Sequence, residues 1–157
     1  MAIAMTLRQY FADNGIDYQT VPHPRTISAS ETAEAAHVPG ARVAKAVLLK
    51  EGKDSYVLAV LPASHHIRLD QLRARLNEGL DLATEEEIEA LFEDCDVGAV
   101  PPVGKAYGLD VIMDESLDTD EDVYFEGGDH ATLVRVDAAS FDKLMGNARQ
   151  ERFARRG

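Results

Sequence analysis

The stretch ARVAKAVLLKEGKDSYVLAVLPA, residues 41–63, constrains the fold of this chain more than any other part of the sequence. It contains two apolar runs, VAKAVLLK and SYVLAVLP, which are separated by the residues EGKD. Apolar runs of this length on either side of a short loop with a glycine are typical of a β-hairpin. The chain is therefore expected to build a sheet around two adjacent, buried antiparallel strands.

The remaining segments place helices and further strands around this hairpin. Apolar spacing and turn residues predict the helices TLRQYFADNG, SASETAEAAHVPG (with Ser30 as its N-terminal cap), RLDQLRARL, TEEEIEALFED and ASFDKLMGNARQ, and the strands DYQTV, LDVIMD, DVYFEG and ATLVRVD. A chain of 157 residues with 45% hydrophobic content suits one compact core. We expect a single α+β domain over residues 1–157, with a central, largely antiparallel mixed sheet flanked by helices and a basic C-terminal tail over 146–157.

Charge argues against a general polyanion binder, because the formal net charge is −12 and non-specific nucleic-acid affinity depends on Lys and Arg. Two basic islands remain, over residues 68–75 and 149–156, and each is either a solvated face or a local contact for RNA. Cys95 is the only cysteine, so an internal disulfide and a thiolate zinc cluster are excluded, and a partly buried thiol is expected. The sequence lacks a signal peptide and a membrane-spanning apolar run, which predicts a cytosolic protein.

Lys45 lies in the middle of the first apolar strand, where an ammonium group is costly to desolvate. One interpretation is an edge position from which the side chain reaches water. The other is that the ammonium lies at the floor of a cleft, where it can hold a phosphate, a carboxylate or an ester carbonyl. The second interpretation makes Lys45 a candidate substrate anchor.

The segment DVGAVPPVG is predicted to form a stiff loop, because prolines fix φ and glycines permit close approach of the backbone. Pro101 and Pro102 supply the stiffness, and the amides of Gly98, Ala99 and Val100 are expected to be exposed. Such amides can bind a carbonyl oxygen on which negative charge develops. An ordinary rigid turn has the same composition, so both interpretations stay open.

Histidines supply the remaining candidates. Gly127 and Gly128 lead into His130 just before a strand, and a histidine after such a turn can face a pocket and exchange a proton near neutral pH, although lone histidines are more often surface or structural residues. His23 and the nearby Thr26 follow the first strand and can line the same cleft. His65 and His66 are interpreted as loop residues, and no spacing typical of a metal site is present.

These segments, in this order, resemble the YbaK-type aminoacyl-tRNA deacylases, a family that includes the editing insertion domain of bacterial prolyl-tRNA synthetases and its free-standing relatives. The resemblance covers roughly residues 5–145 and rests on VPHPRTISASETAEAAHVPGARVAKAVLLK, on Gly98 to Pro102 as the family's GxxxP loop, and on YFEGGDHATLVRV. It implies the fold of that family and places Lys45 at its essential lysine. His130 resembles the histidine that the synthetase insertion domains carry after their double glycine.

The resemblance implies hydrolysis of the ester between a wrongly attached amino acid and the terminal ribose of a tRNA, with no metal or other cofactor. The hydrolysis would then need only a positioned water, the loop amides and the vicinal hydroxyl of the substrate. Lys45 would orient the end of the substrate, and Asp114 is a candidate for holding its amino group. The partner would be the acceptor end of a mischarged tRNA, with a synthetase as a further candidate that delivers it.

Alanine on the proline tRNA is the expected substrate, because His130 resembles the insertion-domain pattern, and the activity would act in trans. A pocket discriminates between amino acids by only about 1–3 kcal/mol of binding free energy per methylene, so cysteine, serine and threonine remain alternatives to alanine. A non-catalytic module that binds a tRNA end or a small ligand is a rival, and an interaction domain is a third possibility. We expect a monomer, because one core accounts for the periodic apolar positions.

Overall fold

The computed structural model of the protein describes residues 3–26, 29–146 and 148–156. The helices are α1 (Met5–Asn14), α2 (Ala29–Ala35), α3 (Leu69–Arg75), α4 (Glu85–Leu91) and α5 (Ala138–Met145), with short 3₁₀ turns at Gly40–Arg42 and Gly104–Tyr107. The strands are β1 (Gln19–Pro22), β2 (Val43–Glu51), β3 (Tyr56–Pro62), β4 (His65–Ile67), β5 (Leu80–Leu82), β6 (Asp110–Asp114), β7 (Val123–Glu126), β8 (Thr132–Val136), β9 (Arg149–Glu151) and β10 (Ala154–Arg156).

The predicted hairpin is the centre of the sheet. Strands β2 and β3 pair antiparallel from Ala44 opposite Pro62 to Lys50 opposite Tyr56. In the described residues the main sheet has the strand order β1-β8-β7-β2-β3-β6-β9, and β5 adds to β2 on the side of β7. The pairings of β2 with β7, of β3 with β6 and of β6 with β9 are parallel, and the other pairings of this sheet are antiparallel. The predicted α+β class with a mixed sheet is confirmed.

The two faces of the sheet carry different cores, because neighbouring residues of a strand point to opposite faces. Ala44, Leu48 and Phe125 belong to the larger core, which α1 and α5 cover. Leu49 and Leu61 belong to a second core, which α3 covers with Leu72. Lys45 alternates with Ala44 and therefore lies on the face of the second core.

The edge of β2 is open beside Lys45. On this side, β7 pairs with Val43 and Ala44, and β5 pairs with Leu49 to Glu51. Within the described residues, no strand pairs with residues 45–47 on that edge. The carbonyls of Val43 and Leu48 bond to opposite sides of β2, to Ala63 and Ala83 respectively. By this alternation the backbone groups of Ala46 point into the open edge.

The C-terminal segment differs from the sequence-based expectation. The predicted final helix ends at Met145, because Gly146 takes a positive φ of 59°, and Arg149 and Gln150 continue in β9 instead. The predicted tail forms β9 and β10 over its described residues, while Asn147 and Gly157 lie outside them. β10 pairs with β4, so His65 and His66 are strand residues and not loop residues.

The expected start of the second helix is also corrected. Ser30 lies within α2, which begins at Ala29, so it does not precede the helix as a cap. The residues just before this helix, 27 and 28, lie outside the described part of the chain. The described helices do not combine the length and the hydropathy of a membrane-spanning segment.

Candidate active site

A cluster of buried polar side chains surrounds Glu126, the last residue of β7. The hydroxyl of Thr32 in α2 donates to Oε2 of Glu126 over 2.9 Å, and Nε2 of His23 lies 3.4 Å from Oε1. The hydroxyl of Thr26 is hydrogen-bonded to that of Thr32. Glu126 is 6% exposed, His23 8% and Thr32 0%. The segment after β1 and the first turns of α2 thus converge on one carboxyl group.

The proton positions in this cluster follow from its partners. Nδ1 of His23 lies 2.7 Å from the carbonyl oxygen of Pro24, and since a carbonyl only accepts, this nitrogen carries a proton. Nε2 then faces the carboxyl group of Glu126. Burial is the main cause that raises the pKa of Glu126, while Thr32, His23 and His130 oppose that rise. The cluster therefore holds a carboxyl group that ionises less readily than an exposed one.

His130 borders the same cluster and takes a positive φ of 60° in the turn between β7 and β8. Its Nε2–H donates to the carbonyl of Val97 over 2.9 Å, which fixes the ring against the loop that follows. No buried side-chain nitrogen or oxygen of the described residues lacks a hydrogen-bond partner. Because none of the hydrogen bonds in the described part of the chain involves Nδ1 of His130, this nitrogen must reach solvent. His130 can therefore hold a water through Nδ1.

The loop from Gly98 to Pro102 packs against His130. Gly98 has a φ of +90°, and a Cβ at this position would lie 3.1 Å from Cε1 of His130. The amide of Ala99 donates to the carbonyl of Asp96 over 3.0 Å, and its residue is 1% exposed. The expectation that the Ala99 amide is exposed is therefore wrong, because it closes the turn. In the described structure the amides of Gly98 and Val100 have no hydrogen-bond partner, while Pro101 and Pro102 are buried.

Gly127 and Gly128 position this loop by close packing. A Cβ on Gly127 would lie 2.5 Å from Cγ2 of Ile3, and one on Gly128 would lie 3.3 Å from Sγ of Cys95. The carbonyl of Gly128 accepts from the amide of Asp96 over 2.8 Å. Sγ of Cys95 lies 3.3 Å from the hydroxyl of Tyr107, and burial raises the pKa of this thiol to about 12. The double glycine thus ties the histidine turn to the start of the loop, and Cys95 is a packed thiol.

Lys45 lies beside Glu126 on the same face of the sheet. Ala44 pairs with Phe125, and both side chains enter the larger core, so the next residue of each strand points to the opposite face. The Lys45 ammonium has no hydrogen bond or ion pair among the described residues, and since no buried nitrogen is unpaired there, it reaches solvent. Burial lowers its pKa. An unpaired cation therefore opens onto the free edge of β2.

Among the described residues, Asp114 forms hydrogen bonds with Ser116 and the C-terminal segment and none with the groups around Glu126. Its Oδ1 accepts from the amides of Phe153 and Ala154 over 2.7 and 2.8 Å, and its Oδ2 accepts from the amide of Ser116 over 2.9 Å and from the hydroxyl of Ser116. The side chain is buried, with the residue 1% exposed. Each oxygen already accepts two hydrogen bonds, from donors that fix the approach to β10, so Asp114 is less available to a substrate than Glu126 is.

Three features of the site escaped the sequence analysis. Glu126 and Thr32 were not singled out, and the backbone of Ala46 becomes available only because β5 and β7 leave a gap along β2. Glu126 is an acidic residue at the end of the apolar run VYF, and a charge beside an apolar run is the signal that identified Lys45. A separate cavity of about 400 Å³, lined by residues such as Val57, Lys105 and Met145, contains none of the site residues.

Comparison with known proteins identifies relatives for most of the chain. The family model described as the aminoacyl-tRNA editing domain matches residues 23–144. A proline--tRNA ligase of Thermosipho africanus is 30% identical over 94 residues, and one of Trichlorobacter lovleyi is 29% identical over 99 residues. These matches cover 59% and 62% of the chain but only 16% and 17% of the ligases.

A solved structure matches over nearly the whole length of both chains. It is that of a protein proposed to be a trans-editing enzyme for prolyl tRNA synthetase. Its TM-score is 0.80 at 25% identity, and the match covers 98% of this chain and 99% of the other.

Proposed function

The chain belongs to the aminoacyl-tRNA editing domain family, and we propose that it hydrolyses the ester that joins a wrongly attached amino acid to the terminal ribose of a tRNA. The observation that carries this proposal is the unpaired ammonium of Lys45, held beside Glu126 at an open strand edge. A partly buried cation without a protein partner can bind an oxyanion or a carbonyl oxygen. The end of an aminoacyl-tRNA offers both, as its last phosphate and its ester.

The chemistry needs little beyond positioning, because an aminoacyl ester is already activated. The oxygen of a water bonds to the carbonyl carbon, the bond from that carbon to the ribose oxygen breaks, and a proton passes to the ribose oxygen. The free amides of Gly98 and Val100 are proposed to bind the carbonyl oxygen as charge develops on it. Nδ1 of His130 holds the attacking water, because its other nitrogen is fixed to Val97.

The amino group of the substrate needs an acceptor, and Glu126 suits this role better than Asp114. Glu126 has one contact at 3.4 Å and one at 2.9 Å, which leaves lone pairs on both oxygens. It also lies on the same face as Lys45, so the two groups can hold opposite ends of one small amino acid. His23 and Thr26 support the carboxyl group from the other side. The backbone of Ala46 offers a further donor and acceptor between them.

Alanine on the proline tRNA is the proposed substrate, with cysteine, serine and threonine as alternatives. The similarity to proline--tRNA ligases and to a protein proposed as a trans-editing enzyme for prolyl tRNA synthetase supports this choice. We propose that the protein acts in trans in the cytosol, as a monomer, on the acceptor end of the tRNA. A synthetase that still holds the mischarged product is a natural source of substrate.

The test is deacylation of tRNA carrying Ala, Cys, Ser or Thr by the wild type, by Lys45→Ala and by Lys50→Ala. Lys50 lies on the same strand but is paired with Glu87 over 2.8 Å, so its variant controls for loss of a lysine. We expect the wild type and Lys50→Ala to release one amino acid preferentially and Lys45→Ala to release none. Equal release by Lys45→Ala would contradict the assigned role of Lys45, and no release by the wild type would favour a non-catalytic binding module.

A further inference from the structure

Beyond the ester itself, we propose that the two-stranded ribbon of β4 and β10 binds phosphates of the RNA strand that carries the ester, through Arg155 and Arg156. The inference rests on the proposed function and adds the route by which a protein with a net charge of −12 receives RNA. A local basic surface is required for that route, because phosphate contacts by Lys and Arg supply most of the non-specific affinity for nucleic acid.

The ribbon brings two distant basic segments together. Arg155 pairs with His66 and Arg156 pairs with His65 across the antiparallel strands. Ala154 and Ile67, the third pair, pack on the second core and fix the ribbon to the sheet. Both arginines are exposed. The ribbon therefore presents paired arginine and histidine side chains on a firm backbone, although the two segments are almost ninety residues apart in the chain.

Ion pairing separates Arg155 and Arg156 from the other arginines of the two basic islands. Within the described residues neither guanidinium forms an ion pair. The other arginines of these islands are bound to carboxylates: Arg68 to Asp70 at 3.5 Å, Arg73 to Asp81 at 3.5 Å, Arg75 to Glu151 at 3.6 Å, Arg152 to Glu115 at 2.6 Å, and Arg149 to Glu151. A guanidinium that is already paired has less to gain from a phosphate. The two free arginines are thus the available phosphate ligands of these islands.

The ribbon continues into the proposed active site. Residues alternate along a strand, so Arg156 and His65 share the ribbon face of Ala154 and Ile67. This ribbon face packs on the second core, which lies on the Lys45 side of the main sheet. His65 lies close enough to Asp114, Arg156 and Lys45 for their charges to act on its pKa, which burial lowers. His65 and Arg156 therefore lie on the side of the ribbon toward Lys45, with the carboxylate of Asp114 beside them.

A depression beside the ribbon has room for a phosphate. A depression of about 270 Å³ is lined by His66, Ile67, Arg68, Arg155 and Arg156. Arginine forks match phosphate oxygens and stack on bases, which suits a single-stranded RNA end better than a compact duplex. The last nucleotides of a tRNA, which are single-stranded, would pass over this depression while their terminal ester reaches Lys45.

The test is binding of uncharged, fluorescently labelled tRNA by anisotropy at several KCl concentrations. The variant Arg155→Ala/Arg156→Ala is compared with Arg149→Ala/Arg152→Ala, which removes the same charge from paired arginines of the same segment. For the first variant we expect a roughly tenfold weaker Kd and a plot of log K against log [salt] that is less steep by about 0.7 per arginine. Arg155→Lys/Arg156→Lys should restore most of the salt dependence.

An unchanged salt dependence in Arg155→Ala/Arg156→Ala would overturn the inference. An equal change in the control variant would also overturn it, because the change in binding would then come from net charge alone. The failure of this inference is distinguishable from failure of the proposed function, because uncharged tRNA is bound and not hydrolysed. Binding that depends on the two arginines without any deacylation by the wild type would support the ribbon and refute the hydrolase. A second readout is hydrolysis of an aminoacyl-adenosine without phosphates, which the arginine variant should cleave at the wild-type rate.

Discussion

The Nε2–H of His130 donates to the carbonyl oxygen of Val97 over 2.9 Å. This bond connects the turn after β7 to the loop that begins at Gly98, and it leaves the other ring nitrogen of His130 toward solvent. The ring lies so close to Gly98 that a side chain at that position would have to displace it. The histidine and the loop therefore depend on each other for their positions.

Gly98→Ala is predicted to disrupt both groups. The new Cβ would lie 3.1 Å from Cε1 of His130, at a φ of +90° that L residues rarely adopt. We expect deacylation to fall by about tenfold, because the His130 ring must move by a few tenths of an ångström and a displacement of about 1 Å costs about a hundredfold. The control is Gly108→Ala, whose φ is +72° with no atom within 4 Å of the new Cβ.

The control separates backbone strain from displacement of the histidine. Both variants should lose about 1–2 kcal/mol of unfolding free energy to the left-handed conformation, measured by urea denaturation. Only Gly98→Ala should lose activity. Equal activities in the two variants would show that the contact between Gly98 and His130 is unimportant for the reaction.

Much of the fold was predictable because its signals are local. The apolar runs on either side of EGKD and the termination of α1 at Gly15, with a φ of 62°, depend on neighbouring residues alone. The C-terminal strands were not predictable in this way. Arg149–Glu151 and Ala154–Arg156 carry no apolar alternation, and they are strands because β6 and β4 offer edges to pair with. Such pairing is a tertiary effect that overrides local pattern.

The candidate site also combines residues that local sequence signals identify with residues that only the tertiary structure brings together. The position of Lys45 was recognisable, because a single charge in an apolar run stands out in the sequence. The neighbouring Glu126 was not recognisable in this way, because the parallel pairing of β7 with β2 brings it beside Lys45. Asp114 was expected to hold substrate, yet its carboxylate is used by amides almost forty residues further along the chain. The family resemblance identified the motifs, and the structure shows which residues each motif contacts.

Glu126→Gln is predicted to change the pH dependence of stability. The pKa of Glu126 is raised above 4.5, mainly by burial. Its stabilising contribution is therefore fully present below the unfolded pKa and is lost as the pH rises through the folded pKa. Relative to the wild type, Glu126→Gln should gain stability as the pH rises above about 4.5, measured as Tm by circular dichroism.

Glu87→Gln provides a control with the opposite sign. Lysine and backbone hydrogen bonds, with Lys50 as the largest cause, lower the pKa of Glu87 to about 2. The contribution of Glu87 to stability is present above pH 4.5 and is lost as the pH falls toward 2. Glu87→Gln should therefore be less stable than the wild type at neutral pH, with the two curves converging in acid. The same sign of pH dependence in both variants would refute the assignment for Glu126.

Lys45→Met is predicted to raise stability while it abolishes deacylation. Burial lowers the pKa of Lys45 below 10.5, so its contribution to stability is complete only above the unfolded pKa and is lost as the pH falls through the folded pKa. At pH 7 the wild type keeps a partly buried, unpaired charge that methionine would remove. We expect a Tm higher by about 2–4 °C, the shift that roughly 1 kcal/mol produces in a domain of this size.

The matched variant is Lys50→Met on the same strand. Lys50 is paired with Glu87, which raises its pKa, so its replacement should lower Tm and leave deacylation intact. The advantage of Lys45→Met over the wild type should shrink as the pH approaches 10.5. A lower Tm for Lys45→Met at pH 7 would show that Lys45 has a stabilising protein partner and is not held for a substrate.

Asp114→Asn is predicted to release the C-terminal ribbon strand. The two oxygens of Asp114 accept from the amides of Phe153, Ala154 and Ser116, and asparagine can accept at only one oxygen. Its NH₂ group would face donors, so we expect a loss of about 1–3 kcal/mol of stability. Hydrogen exchange of the amides of residues 153 and 154 should accelerate, because their acceptor is weakened.

The pH dependence and a control complete this test. Backbone and Ser116 hydrogen bonds outweigh burial and lower the pKa of Asp114, so its contribution is present above 3.8 and is lost as the pH falls through the folded pKa. Asp137→Asn is the control, because Asp137 caps α5 at an exposed position where asparagine caps equally well. If Asp114→Asn had normal stability and normal hydrogen exchange but no deacylation activity, Asp114 would instead be assigned to substrate binding. The expected result is weaker binding of tRNA by a loosened ribbon, with the aminoacyl-adenosine still cleaved, because Asp114 supports the strand of Arg155 and Arg156 and does not contact the ester.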